Sequence, residues 1–233
     1  MSPRFRTLNV SIPYLVLALV LLWLPRQWLR MGGHVMLRRE RFRSASRDSN
    51  PRYQRQPGDR SIWLREELVN GRNYFDLLRG SIGSWAVMHD GFFLSPTAGE
   101  TSSGHLTLLA LQAGIFVVAI SIQMIRWSGK ISLFAPIFFL TGLLVGVCSW
   151  HVALFATVLV WALNCVLPNP EAFLLVQAIA LAGFSYLFLG AITVMTLLGA
   201  FLLLLPMVIS LLAKERLMLK IRRPKPAGSG SLA

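Results

Sequence analysis

Apolar and charged positions are distributed very unevenly along this chain. Residues 106–213 form a stretch of 108 positions with only three formal charges, on Arg126, Lys130 and Glu171. A helix on the surface of a soluble protein has polar residues on its outer face, whereas a helix that faces lipid has almost none. The pattern therefore predicts an all-α integral membrane protein in which domain 106–213 is a helical transmembrane bundle.

Polar and aromatic interruptions divide this bundle into spans. Residues 106–125 form one apolar segment of 20 residues, the length of a single span. Segments 131–167 and 172–213, with 37 and 42 residues, are too long for one helix across a hydrocarbon core of about 30 Å. We predict that the first turns at residues 149–151 and the second near Gly190.

A shorter apolar run at residues 12–24 begins the chain. Its arginine-rich continuation lacks small residues at a signal-peptide cleavage spacing, so residues 1–29 predict an uncleaved anchor helix, lengthened by flanking residues such as Leu8 and Val10. Cleavage as a signal peptide is the alternative. With this anchor the bundle has about six transmembrane helices, or five if the break near Gly190 is absent.

Residues 30–105 predict a basic, partly disordered extramembrane segment. Positions 38–60 have almost no apolar content and predict a mobile tether. Short amphipathic helices follow in residues 61–80, with Trp63, Leu64 and Leu68 on one apolar stripe. Residues 80–105 predict a loop, and residues 214–233 a basic cytoplasmic tail.

The net charge of +13 is unusual for a chain that is 55% hydrophobic. Basic segments beside membrane spans are typical of cytoplasmic flanks, and they attract anionic lipid headgroups. This favours a bacterial-type inner (plasma) membrane location, with lipid and another membrane protein as partners and no nucleic acid. Four spans separate Arg126 and Lys130 from the tail, so both lie on the same side, and the single span 106–125 then places residues 30–105 on the other. An extra half-span near residues 82–94 would reverse this placement, so the side of residues 30–105 stays open.

Small residues four positions apart predict close helix packing. Gly142 and Gly146 form one such pair, and Ala110 and Gly114 form a looser one. Such pairs let two helix backbones approach closely, either inside this bundle or against another membrane subunit.

Uncharged polar residues inside the apolar half suggest a second use of the bundle. Gln112, Asn164, Gln177 and Tyr186 could line a path for a neutral or weakly polar solute. The simpler interpretation is that they hydrogen-bond between helices, each bond contributing about 0.6 kcal/mol.

Reactive groups are scarce. His89, Asp90 and His105 could serve a lipid-modifying enzyme, but no nucleophile elbow, zinc helix or phosphate loop accompanies them, and no metal or cofactor is predicted. The sequence thus favours a structural or assembly subunit of a larger membrane complex, with a small permease as the alternative and an enzyme as the third hypothesis.

Overall fold

The computed structural model describes residues 8–25, 67–68, 71–94, 102–128, 130–214 and 217. The predicted tether at 38–60, the stripe residues Trp63 and Leu64, and the tail beyond residue 217 lie outside this part of the chain. Within it, the fold is almost entirely helical.

Seven α-helices of at least 11 residues form the described fold. They are α1 (Ile12–Trp23), α2 (Gly71–Trp85), α3 (Ser102–Met124), α4 (Ile137–Val147), α5 (Trp150–Leu163), α6 (Pro170–Leu189) and α7 (Val194–Ala213). A turn of π-helix at Ala86–Asp90 continues α2.

Two short antiparallel strand pairs complete the described structure. Strand β1 (Leu8–Val10) pairs with β2 (Phe92–Leu94), which joins the residues before α1 to those after α2. Strands β3 (Ile125–Ser128) and β4 (Lys130–Leu133) form a hairpin between α3 and α4.

The first three helices alternate in direction. Ser11, before α1, donates its backbone N–H to the carbonyl of Gly91, after α2 (3.2 Å), and the carbonyl of Leu24, after α1, contacts Arg79 inside α2. Helices α1 and α2 are therefore antiparallel. On α3, Gln112 contacts Val87 and Gln123 contacts Arg79, so α3 is antiparallel to α2 as well.

Helix α4 runs in the same direction as α2. Gly142 lies between Leu77 and Ser81, and Gly146, one turn later, lies against Ser84 and Trp85, further along α2.

The last three helices continue the alternation. Ring contacts of Trp161 with Phe173 and of His151 with Phe188 place α5 antiparallel to α6. The hydroxyls of Ser185 and Thr196 are 2.8 Å apart across the turn that joins α6 to α7. One end of the bundle thus contains the C-terminal ends of α1, α3, α5 and α7 and the N-terminal ends of α2, α4 and α6.

Both predicted turns in the apolar half are confirmed. Helix α4 ends at Val147 and α5 begins at Trp150. Gly190 ends α6 in the left-handed region (φ 72°), which favours glycine because no Cβ is present to clash. Thr193 then caps α7 by accepting a hydrogen bond from the N–H of Thr196 (3.1 Å).

Other expectations are wrong in detail. Residues 80–90 and 102–105 are helical instead of loop, since α2 and its π turn continue to Asp90 and α3 begins at Ser102. Residues 95–101 of the predicted loop lie outside the described chain. Residues 131–133 belong to a hairpin instead of a helix, and Leu8 and Val10 belong to β1 instead of lengthening α1.

Three of the helices are long and apolar enough to cross a membrane: α3, over His105–Met124, α6 and α7. Helices α1, α4 and α5 are apolar but have only 12, 11 and 14 residues. The predicted count of six spans is therefore not confirmed by helix length, and α2 adds a helix that the count omitted.

Candidate functional site: a buried polar cluster on α2

The polar and apolar faces of α2 are the reverse of those of a surface helix in water: its polar face is buried and its apolar face is exposed. Its buried residues are polar or small: Asn73, Asp76, Arg79, Gly80, Gly83 and Ser84. Its exposed side chains are large and apolar, with 45–57% of their surface accessible: Tyr74, Phe75, Leu78, Ile82 and Trp85. A soluble helix would place these two sets the other way round, whereas an outer face in contact with lipid requires this arrangement.

Arg79 lies at the centre of the polar cluster. Its guanidinium donates through Nη1 to the carbonyl of Leu24 (2.5 Å) and through Nη2 to Oε1 of Gln123 (2.6 Å). The same Nη2 is 2.8 Å from Oδ1 of Asp76, one turn earlier on α2. The ring of Phe139 lies 5.2 Å from the guanidinium carbon, a cation–π distance. The buried positive charge is therefore paired and hydrogen-bonded on several sides.

Gln123 extends the cluster to the end of α1. Its side-chain N–H groups donate to the carbonyls of Leu22 (3.1 Å) and Leu24 (2.9 Å). The last carbonyls of any helix lack partners inside that helix, and they are costly to leave unpaired in an apolar environment. Because α1 has only 12 residues, about 18 Å, its end needs such partners within the protein, and Gln123 and Arg79 supply them.

Glycines bring α2 and α4 into backbone contact beside the cluster. A Cβ on Gly80 would lie 2.6 Å from the carbonyl oxygen of Phe139, and one on Gly142 would overlap the carbonyl of Leu77. A Cβ on Gly146 would overlap the hydroxyl of Ser84. The predicted Gly142 and Gly146 pair thus lies at the face of α4 that contacts α2, a helix from the region that was predicted to lie outside the bundle.

Ala110 and Gly114 have no such role within the described chain. Ala110 is exposed, and a Cβ on Gly114 would meet no atom within 4 Å. The pair lies on an outer face of α3, which the described helices of this chain do not cover.

The four residues predicted to line a polar path occupy separate environments. Gln112 is buried and donates to the carbonyl of Val87 in the π turn (3.2 Å). Gln177 is buried on α6, where its amide lies 3.4–3.5 Å from the hydroxyls of two threonines on α4 and α5. Asn164 is buried after the end of α5, whereas Tyr186 is 67% exposed.

Of the predicted acid–base residues, His89 and His105 can be placed, whereas the side chain of Asp90 lies outside the described part of the structure. His89 and His105 are both exposed, and the ring of His89 packs beside Trp85 at 5.6 Å. Within the part of the chain that the structure describes, no three His, Cys, Asp or Glu side chains are grouped as metal ligands would be.

A signal for the polar cluster is nevertheless present in the sequence. Polar or small residues recur every three or four positions, at 73, 76, 79, 80, 83 and 84, between aromatic and aliphatic residues. This period marks one face of a helix. The sequence analysis missed the cluster because it ended the amphipathic region at Gly80 and took residues 80–105 for a loop, which divided this polar face in two.

Comparisons of the chain with protein-family models, with curated proteins and with solved structures found no match.

Proposed function

We propose that this protein is a multi-pass membrane protein that acts as a non-catalytic structural or assembly subunit of a larger membrane complex. The observation that carries the membrane part is the inversion of α2, together with three apolar helices of spanning length. In this proposal all seven helices cross the bilayer, the short ones with their ends held by the protein.

The use of the buried polar groups supports a structural role. Arg79 and Gln123 bind the end of α1, Gln112 binds the π turn, and Gln177 lies between threonines of two neighbouring helices. Each group joins one helix of this chain to another, as expected of side chains that stabilise a bundle. The N–H donors in these contacts are thus directed at acceptors of the protein.

The outer face of α3 supports a partner. Only 22% of the apolar window of α3 is buried by the rest of the chain, against 33% for α6 and 39% for α7. Ala110 and Gly114 on this helix leave room for the backbone of a second helix to approach closely. A membrane-spanning helix of another subunit fits this face.

The experiment is purification from native membranes in mild detergent, followed by mass spectrometry. We expect a stoichiometric membrane-protein partner, and we expect Gly114→Leu to lose it because leucine fills the space that the partner helix would enter. Gly183→Leu is the matched control, since a Cβ on Gly183 also meets no atom within 4 Å but lies on α6. Recovery of the wild-type protein alone would contradict the proposal.

The permease alternative has less support from these positions. Gln112 and Gln177 bond to different elements, and Tyr186 is mostly exposed. Helices α2 and α4 are in backbone contact where a path beside the polar cluster would run. Our proposal expects Asn164→Ala and Gln177→Ala to leave solute fluxes unchanged in reconstituted vesicles. Loss of a specific flux in both folded variants would favour the permease instead.

A further inference from the structure

Basic residues concentrate at one end of the bundle, which we call the basic end. It is formed by the C-terminal ends of α1, α3, α5 and α7 and the N-terminal ends of α2, α4 and α6. The hairpin with Arg126 and Lys130 lies here, and so do Arg72 and Lys214. Residues 26–66 also connect to the bundle at this end, because they join the end of α1 to the start of α2.

The charges of the chain are divided unequally between the two ends, and the basic end has the entire net charge. Helix α2 as far as Arg79 and the segments that connect at the basic end contain 21 of the 23 basic residues and eight of the ten acidic ones, a net charge of +13. The opposite end has Arg4 and Arg6 before β1, and Asp90 and Glu100 between α2 and α3, a net charge of zero. This division of the segments between the two ends follows from the directions of the described helices.

The direction of α2 bears on a question that the sequence left open, namely at which end of the bundle the arginine-rich segment connects. If α2 did not cross the bundle, residues 26–105 would all connect at the opposite end, away from Arg126 and Lys130. With α2 as a pass, the arginine-rich segment 26–66, the hairpin and the tail all connect at the same end, and α1 begins at the other.

We propose that the basic end lies at the cytoplasmic face and rests on anionic phospholipid headgroups, with the N-terminus on the opposite side. This inference rests on the proposed membrane insertion. Lysine and arginine resist translocation, and the anionic inner leaflet attracts basic segments beside the spans. Lipid is the occupant that fits, since these segments directly precede or follow the proposed spans in the chain, and the ends of spans lie at the level of the headgroups.

The native cysteines provide the test of orientation. Cys165 is exposed after the end of α5, at the basic end, whereas Cys148 is buried at the opposite end of that helix. A membrane-impermeant maleimide should therefore label Cys165 in inside-out vesicles and not in right-side-out vesicles. Cys165→Ser should abolish the labelling.

His105→Cys in the Cys165→Ser background is the matched control. His105 is exposed at the start of α3, at the opposite end, so it should be labelled only in right-side-out vesicles. Labelling of Cys165 from the outside, from both sides or from neither would overturn the orientation. Alkaline carbonate extraction separates the two failures: extraction of the protein contradicts membrane insertion, whereas a retained protein labelled from the wrong side contradicts only its orientation.

The lipid contact is tested in nanodiscs that contain equal amounts of phosphatidylglycerol and phosphatidylcholine. Native mass spectrometry should find phosphatidylglycerol enriched on the wild-type protein, and Arg126→Gln, Lys130→Gln and Lys214→Gln together should lower the enrichment at least about twofold. Arg4→Gln with Arg6→Gln is the control at the opposite end, which should leave it unchanged. Equal retention of both lipids, an unaffected triple variant, or co-purification of nucleic acid in place of phosphatidylglycerol would overturn the lipid assignment.

Discussion

Arg79 shows how a single charged side chain is accommodated in an apolar bundle. A guanidinium buried among apolar helices is costly unless it is paired or bonded to other polar groups such as backbone carbonyls. Here the carboxylate of Asp76, the amide of Gln123 and the carbonyl of Leu24 supply these partners. The charge therefore serves to hold the end of α1 against α2 and α3.

Removing the charge of Arg79 alone should destabilise the protein. In Arg79→Gln the carboxylate of Asp76 loses its ion-pair partner, which for buried pairs costs about 3–5 kcal/mol. We expect a lower melting temperature in detergent, measured by intrinsic tryptophan fluorescence. The double variant Asp76→Asn with Arg79→Gln should recover part of the loss, because no unpaired charge remains. An unchanged melting temperature in Arg79→Gln would mean that the pair has no structural role.

The glycines of α4 allow an equally local test. In Gly142→Ala the new Cβ overlaps the backbone carbonyl of Leu77, which no side-chain rotation can relieve, so the helices must separate at a cost of about 1–3 kcal/mol. Gly114→Ala is the control, because its Cβ meets open space and alanine favours the helix. In detergent, Gly142→Ala should therefore unfold at a lower temperature than Gly114→Ala. Equal stability would contradict the backbone contact between α2 and α4.

At the scale of elements, the sequence predicted the apolar helices and missed the mixed one. Residues 106–125 are recognisable because lipid-facing helices are apolar all round, and Gly190 is recognisable because glycine ends helices. Helix α2 contains arginine, aspartate and asparagine, so its composition is that of a surface helix. The buried face of α2 is identified by its contacts with other helices, and these come from distant parts of the chain. Gln123, for example, is 44 residues away from Arg79.

A lysine introduced on the outer face of α2 tests whether this face meets water or lipid. Leu78 is 57% exposed, so Leu78→Lys should cost almost nothing if the face meets water. If the face meets lipid, a lysine in the hydrocarbon layer costs up to about 2.5–3.5 kcal/mol, the value for the centre of a spanning helix, and we expect less protein in the membrane fraction after alkaline carbonate extraction. Leu68→Lys is the control, since Leu68 is also exposed but precedes α2 at the basic end. Equal recovery of both variants would place this face in water.

At the scale of the whole molecule, the seven helices depend on contacts across long stretches of the chain. Residues 26–66 separate α1 from every helix that it contacts. Trp23 donates to the carbonyl of Ile115 (3.4 Å), Leu22 packs where Gly83 leaves space, and Gln123 holds the end of the helix. The association of α1 with the bundle should therefore depend on these side chains more than on chain connectivity.

Co-expression of the chain as two pieces, residues 1–45 and 46–233, tests this dependence. We expect the tagged first piece to purify with the second in equal amounts, because the contacts of α1 with α2 and α3 remain available. Gln123→Leu in the second piece should lower the recovery, since the carbonyls of Leu22 and Leu24 lose their amide donor. Gln177→Leu is the matched control: this glutamine is equally buried but bonds to Thr141 and Thr157, away from α1. Recovery that falls equally in both variants would mean that α1 responds to general instability of the bundle, whereas a selective loss in Gln123→Leu would establish the polar cluster as the attachment of the first helix.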